Sequence, residues 1–392
     1  MSITDWIVVI FCMVFSFFWY GFYIESLRNL KKIPLFEQLV LPEPAAWPGL
    51  SIIITACNEA DTIESAMKTV LEQDYPELEI IIVNDRSTDD TGPLVDALAK
   101  TDSRVKAVHV KQLPENWIGK VHAINSGTKV ATGEWLLFTD ADVHFQQGIL
   151  RKAMAYALNE NSDHLTLLPR VDTHLFWLET AIAAFRLMFL SSANASRLNN
   201  PDSKAFIGVG AFNMIKKSAL ENSEGLEWLR MEVIDDMGLG LLIKNAGGKT
   251  SMAYAGKDLG LVWYPSLAAM FKGLEKNAFG PGTGYRYARL GLIVTFIWLL
   301  NVAPLLAIFY SGIEYLWVLG VIAYGLLVYT MYVSAKRFNT PFVPSLFVQP
   351  GQILFTFMMI NAAIKCKKQG GINWRGTVYP VEALKAGQRV KF

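Results

Sequence analysis

Four stretches of this chain run for 19 residues or more without an Asp, Glu, Lys or Arg: Trp6 to Ile24, Leu290 to Ser311, Tyr315 to Ser334 and Phe338 to Ile364. Each is long enough to cross the hydrocarbon of a bilayer as a helix. They constrain the chain more than its averages do, since 52% hydrophobic and 18% charged residues describe neither a soluble enzyme nor a helical membrane bundle. Setting aside four spans of roughly 20 residues leaves a remainder about 23% charged, an ordinary soluble figure. A mixed protein follows, part membrane helices and part soluble domain. The modest Gly and Pro content and three cysteines exclude collagen-like, disordered and disulfide-rich classes. A net charge of +1 offers no field for nucleic acid.

Arg28, Lys31 and Lys32 follow the first run and place the chain beyond it on the cytoplasmic side. The alternative is a cleaved signal peptide, with Pro44 to Ala46 near the cleavage site. No basic segment precedes Trp6, and the run exceeds a usual signal core. The expectation is a multi-pass protein of the cell (inner) membrane with a cytoplasmic soluble domain. The last run is broken by Pro341, Pro344, Gln349, Pro350, Gly351 and Gln352, and cations follow at Lys365, Lys367, Lys368 and Arg375. Either it crosses, or it is kinked or re-entrant and keeps the tail inside. The resulting organisation is an anchor over 1–25, a linker over 26–48, an α/β domain over 49–260, an amphipathic interfacial segment over 261–288, a transmembrane region over 289–364 and a cytosolic tail over 365–392. Leu175 to Leu190 is also apolar around most of its circumference, and reads either as an interfacial helix or as a core helix of the soluble domain. Cys12, Cys57 and Cys366 form no disulfide or metal pattern, and the five histidines show no paired metal spacing.

Between Leu50 and Asp142 short apolar, β-branched runs alternate with helical spacing. Strands are expected at Leu50 to Ala56, Leu78 to Val83, Val105 to Val110 and Glu134 to Thr139. The intervening helices are Ala60 to Glu72, Thr88 to Lys100 and Gly119 to Thr132. This alternation implies a mostly parallel, Rossmann-like sheet covered on both faces, with ligands beyond the carboxyl ends of the strands. Asn58, Glu59, Asp85, Asp140 and Asp142 fall at those ends. There is no GxGxxG or GxxxxGK[ST] to wrap a dinucleotide or cradle a phosphate. Asp140-Ala141-Asp142 supplies an alternative, because two carboxylates around a small residue can hold a hard divalent cation that bridges to phosphate.

Six stretches carry a resemblance: ITACNEAD (54–61), VNDRSTDDT (83–91), ENWIGKVHAINSG (115–127), GEWLLFTDADVHF (133–145), FIGVGAFNMIKKSAL (206–220) and EVIDDMGLG (232–240). In this order they make the chain similar to membrane-bound family 2 glycosyltransferases of the GT-A fold. The resemblance implies that Asp85 binds the base or ribose of a nucleotide sugar, with the Ala56, Asn58 and Glu59 loop closing around it. It implies that Asp140 contacts the nucleotide and, with Asp142, holds Mg²⁺ or Mn²⁺. Lys120 would lie near the diphosphate, or be a solvated lysine at a helix start. Gly208, Gly210 and Phe212 would wall the meeting place of sugar and acceptor. Asp236 would be the general base of an inverting transfer; Asp235 and Asp236 could instead be a solvated pair at a helix start.

Polysaccharide synthases of this family carry a QxxRW element after the base. The equivalent stretch here, Met270 to Arg286, has neither the Gln nor the Arg-Trp pair. Its Lys272, Lys276, Asn277 and Arg286, together with a tail bearing Trp374-Arg375-Gly376, resemble bacterial hopanoid-associated and carotenoid-acid glycosyltransferases. The resemblance therefore implies a hexosyltransferase moving one sugar from a nucleotide sugar, UDP-linked, to a membrane lipid of isoprenoid type, with no obligate protein partner. The rivals are a short-chain polysaccharide synthase, a catalytically silent nucleotide-binding protein and a transporter. The last would carry charges inside its spans, and these runs have none.

Overall fold

The computed structural model describes every residue except Met1, Asn199, Pro201 and Phe392. The chain divides into two units. One gathers Met1–Ile33, Thr173–Ser196 and Tyr264–Lys368; the other gathers Pro34–Asp172, Arg197–Trp263 and Gln369–Phe392.

The first unit is helical: α1 (Ile3–Lys32), α6 (Phe176–Ser192), α9 (Leu267–Gly273), α10 (Gly280–Thr283), α11 (Tyr287–Phe309), α12 (Leu316–Phe338), α13 (Phe342–Leu346) and α14 (Val348–Gln369). Among the described residues four helices, namely α1, α6 with the turn after it, α11 and α12, are long and apolar enough to cross a membrane. Helix α1 starts at a capping box, with the Asp5 amide donating to Ser2 Oγ (3.2 Å) and the Ser2 amide to Asp5 Oδ2 (2.6 Å). It stops before Pro34, which disfavours helical backbone at Ile33. The first residues of the expected linker over 26–48 are thus still helical. Trp19 Nε1 donates to the Ala323 carbonyl (3.1 Å) and Tyr20 Oη to that of Leu319 (2.7 Å), fastening α1 to α12. Ile3, Ile7 and Phe17 of α1 and Leu292 and Phe309 of α11 face outward, as an apolar solvent requires.

Helix α6 belongs to this unit, which overturns the core-helix alternative for Leu175 to Leu190. Ser191 Oγ lies 3.0 Å from Ser26 Oγ of α1, and Thr180 Oγ1 donates to the Pro344 carbonyl of α13 (3.1 Å). The last charge-free run does not form one helix. Asn339 ends α12 in a left-handed conformation (φ 49°), and Pro341 and Pro344 confine α13 to a short piece before α14 begins.

Among the described residues the second unit holds twelve strands: β1 (Leu50–Ala56), β2 (Leu78–Asp85), β3 (Val105–Val110), β4 (Trp135–Asp140), β5 (His144–Phe145), β6 (His164–Leu168), β7 (Arg170–Val171), β8 (Asn213–Lys216), β9 (Thr250–Tyr254), β10 (Leu259–Leu261), β11 (Gly371–Trp374) and β12 (Thr377–Pro380). Its helices are α2 (Ile63–Leu71), α3 (Thr91–Thr101), α4 (Gly119–Val130), α5 (Ile149–Asn159), α7 (Lys217–Glu221), α8 (Asp235–Asn245) and α15 (Val381–Gly387). The main sheet has the order β3-β2-β1-β4-β8-β6-β9 and is parallel except for β8. Every residue of β1 is buried, as a strand covered on both faces must be. The strand order reverses between β1 and β4, where a crevice opens at the carboxyl edge. Register fixes what lies along that edge: Thr55 pairs with Asp140, and Ala56 with Asn84.

Behind this edge, His164 of β6 is fully buried. The Asn213 amide nitrogen donates to the Asp236 carbonyl (3.0 Å), so Asn213 Oδ1 must accept from His164 Nε2, and Nδ1 accepts from Thr250 Oγ1 (3.2 Å). Burial pushes the pKa of this histidine down to about 4, below the roughly 6.5 of an exposed imidazole. As pH falls the unfolded chain takes up the proton first. This contribution to stability is therefore complete above about pH 6.5 and is lost towards pH 4. Against a His164→Gln variant, the protein should lose up to about 3 kcal/mol of relative stability between those limits. Denaturation in detergent across pH measures this, and parallel profiles for the two proteins would refute it.

Candidate active site

The loops after β1 and β2 are tied to each other by side chains. Asn58 sits in the left-handed region (φ 57°). Its amide donates to Ser87 Oγ (3.0 Å), and its Oδ1 accepts from the Thr88 amide (2.8 Å). The amides of Glu59 and Ala60 donate to Thr91 Oγ1 (2.9 Å) and Asp89 Oδ2 (3.1 Å). These bonds explain the run of small polar residues in the second motif. Ala56 is fully buried at the edge of the sheet. Asp85 presents no free carboxylate, since both oxygens accept from its neighbour Arg86, at 2.8 and 3.1 Å. Any nucleotide contact there is made by the pair.

At the end of β4 a second cluster forms. Lys120 Nζ, in the first turn of α4, lies 2.8 Å from Asp140 Oδ1 and 3.3 Å from Asp235 Oδ2. Burial works against its charge, but the carboxylates of Asp140, Asp235 and Asp236 outweigh this and raise its pKa. Asp235 is buried as well. Solvation is therefore overturned both for Lys120 and for the Asp235-Asp236 pair. Asp236 Oδ2 accepts from the Gly210 amide (3.1 Å) and Oδ1 from that of Met237 (2.8 Å), at the start of α8. Burial and the like charge of Asp235 raise the Asp236 pKa to about 6, with Lys120 pulling the other way. Burial, Asp140 and Glu59 similarly raise Asp142 to about 6.

The glycines beside the cluster are there for close approach. A Cβ on Gly208 would lie 1.8 Å from the Asp236 carbonyl oxygen, one on Gly240 would lie 1.9 Å from that of Ile207, and one on Gly210 would meet Asp140 Oδ2 at 2.7 Å. Segment 207–210 and α8 thus touch backbone to backbone. Phe212, expected in the same wall, instead turns its ring into the apolar core against Phe145, with centroids 5.9 Å apart. The strand alternation that points Asn213 at Asp236 sends its predecessor the other way.

Sequence reasoning missed Arg86 and Asn213, and where the tail comes to rest. The hairpin β11-β12 returns to this unit, and there the Gly119 amide donates to Tyr379 Oη (3.1 Å). Its signal was the left-handed turn pair Arg375-Gly376; its destination had none.

Residues 51–223 match the family described as glycosyl transferase family 2. The chain carries a family 2 glycosyltransferase domain. Among similar proteins, it is 35% identical over 118 residues to the GalNAc(5)-diNAcBac-PP-undecaprenol beta-1,3-glucosyltransferase of Campylobacter jejuni, covering 30% of this chain and 37% of that one. It is 34% identical over 116 residues to the poly-beta-1,6-N-acetyl-D-glucosamine synthase of Staphylococcus epidermidis, covering 29% of this chain and 26% of that one. The matched stretch thus spans about a third or less of these relatives' length. The GT-A fold is shared with mannosyltransferase PcManGT from Pyrobaculum calidifontis, solved in complex with GDP-Man and Mn²⁺. That match has a TM-score of 0.55 and 17% identity, and covers 91% of this chain and 98% of that one.

The backbone contact yields a test. Gly208→Ala should cost more than about 2 kcal/mol, because neither main chain can yield to a contact of this kind. Thermal unfolding in detergent should show a lower midpoint, and an unchanged midpoint would contradict this packing.

Proposed function

We propose that this protein is an inverting hexosyltransferase that moves one sugar from a nucleotide sugar, UDP-linked, to the hydroxyl or carboxyl of a membrane lipid. The observation that carries this reading is Asp236: a partly covered carboxylate with a pKa near 6, oriented by two backbone amides, beside a cation and at the sheet's switch point. Such a group is ionised near neutral pH yet more basic than an ordinary carboxylate, which suits a general base. In the reaction, Asp236 takes the acceptor's proton as the acceptor oxygen attacks the anomeric carbon. The bond from that carbon to the diphosphate breaks on the opposite face, with inversion. Asp235 and Lys120 hold the charge balance around the base, and the Asn213 bond fixes its main chain.

On the donor side, the loop of Ala56, Asn58 and Glu59 and the Asp85-Arg86 pair are assigned to the nucleoside, and Lys120 and Asp140 to the diphosphate. Gly208 and Gly210 are assigned to the wall of the sugar site, where they let their segment close on Asp236 and Asp140. Among the described residues no three His, Cys, Asp or Glu side chains converge as a complete metal site. Asp140 and Asp142 nevertheless fit a weakly held Mg²⁺ or Mn²⁺, since the negative charge crowding Asp142 is what a cation would relieve and phosphate oxygens can complete its shell. When bound, the ion would stabilise negative charge on the leaving diphosphate.

A lipid acceptor is supported by the undecaprenol in the name of the Campylobacter relative and by the four apolar helices. The helical unit itself contains a cavity of about 760 Å³ lined by Trp177, Trp298, Tyr324, Phe347 and other apolar residues. The cations in the last turn of α1, Lys31 and Lys32, support an inner-membrane protein with a cytoplasmic catalytic domain. A second reading, a short-chain polysaccharide synthase, is favoured by the name of the staphylococcal relative.

Incubating the detergent-purified protein with labelled nucleotide sugars and extracted membrane lipids, and weighing the product, decides between them; a polymer ladder would favour the second reading. Asp236→Asn should keep donor binding and lose transfer by about 10²-fold or more, and full activity in it would refute the base. Because the carboxylate is the active form, kcat should rise with pH through about 6 and then level. A rate that falls over that range would exclude this assignment.

A further inference from the structure

The tail brings a cation of its own to the catalytic unit. Trp374 pairs with Thr377, so Arg375 and Gly376 are the two-residue turn of the hairpin β11-β12, at φ 50° and 80°. Left-handed backbone at both turn positions is the habit of Asn-Gly or Asp-Gly, whose first residue tolerates it. Arginine there carries a steric cost of about 1 to 2 kcal/mol. The tail that carries this turn is held at points away from it, one in the hairpin and two beyond α15. Tyr379 Oη accepts from the Gly119 amide, and Glu232 Oε2 accepts from the amides of Arg389 (2.7 Å) and Val390 (2.9 Å). A turn this firmly mounted needs no arginine for its own stability.

The guanidinium reaches back across the chain. Nη1 donates to the Cys57 carbonyl (2.9 Å) and Nη2 to Glu59 Oε1 (2.9 Å), and the side chain remains 40% exposed. Asp140 is near enough to act on its charge. Two other non-glycine residues in left-handed backbone, Asn58 and Arg86, surround the same crevice. Gly119 joins the two sides: a Cβ there would lie 2.7 Å from Asp85 Oδ2, while its amide is bonded to the hairpin.

We propose that Arg375 is a phosphate-binding residue of the donor site, presented at the tip of the tail hairpin to clamp the diphosphate of the nucleotide sugar. This rests on the nucleotide-sugar reading above. A planar fork of donors is suited to two phosphate oxygens at once. The bond to Glu59, a partly exposed ion pair of small net worth, gives way when a doubly charged ligand arrives. With Lys120 2.8 Å from Asp140 Oδ1, the site then offers the diphosphate two cations, one from α4 and one from the tail.

The test uses Arg375→Asn in the full-length, detergent-purified protein with Mg²⁺. Asparagine suits the left-handed turn, so the hairpin is kept or strengthened while the guanidinium is lost. Binding of UDP and of GDP is measured against uridine and guanosine. The expected result is a 10- to 100-fold weaker affinity for the preferred diphosphate, unchanged affinity for its nucleoside and an unfolding midpoint no lower than before. Arg375→Lys should recover part of the loss. Equal affinity for the diphosphate in the variant, or an equal loss for diphosphate and nucleoside, would overturn the proposal. If the unaltered protein binds neither UDP nor GDP, the nucleotide-sugar reading itself falls and takes this proposal with it.

Discussion

The site depends on one ammonium group among three carboxylates. In a partly desolvated crevice Asp235, beside it at the start of α8, and Asp140, at the end of β4, both push Asp236 towards the protonated form. Lys120, 2.8 Å from Asp140 and 3.3 Å from Asp235, opposes that push with its positive charge. Its placement follows from the fold, because α4 begins at Gly119, against the Asp85-Arg86 pair, and so delivers its second residue to the switch point of the sheet.

What holds the proposed base differs from what holds the proposed nucleotide side. Asp236 is backed by a line of hydrogen bonds through Asn213 and His164 to Thr250, and by a backbone contact with Gly208 that no side chain can enter. These are core interactions, and they leave the carboxylate little freedom. The loops around Asn58 and Asp85 are joined by hydroxyl and carboxylate side chains, those of Ser87 and Asp89 in exposed bonds. Such bonds can exchange with a ligand more readily than core interactions can.

Much of the catalytic unit is legible in the order of its residues. The strands at Leu50 and Leu78 announce themselves as short apolar runs, since a parallel strand buried on both faces has few polar positions to blur it, whereas β3 at the sheet edge buries only the apolar residue at either end. The carboxylates at their ends are legible for the same reason, as the first polar residues after an apolar run. Other features are hidden. Asp85 is satisfied by the residue beside it, which spacing cannot distinguish from an open ligand. Phe212 falls within a glycine-rich motif, yet strand alternation turns it into the core. Helix α6 is apolar enough for either a protein core or a membrane, and only its bonds to α1 and α13 decide.

Two kinds of surface follow from the order of residues alone: charge-free runs that need an apolar solvent, and a strand-and-helix alternation that forces an open sheet with acidic residues at one edge. Those are properties of neighbours along the chain, set by hydrophobicity and backbone preference. Folding in three dimensions chooses which acid stands beside Lys120 and which amides hold Asp236, and it returns Arg375 to Cys57 and Glu59 across 318 and 316 residues. Contacts at such separations leave no periodicity behind, because they depend on where whole elements come to rest.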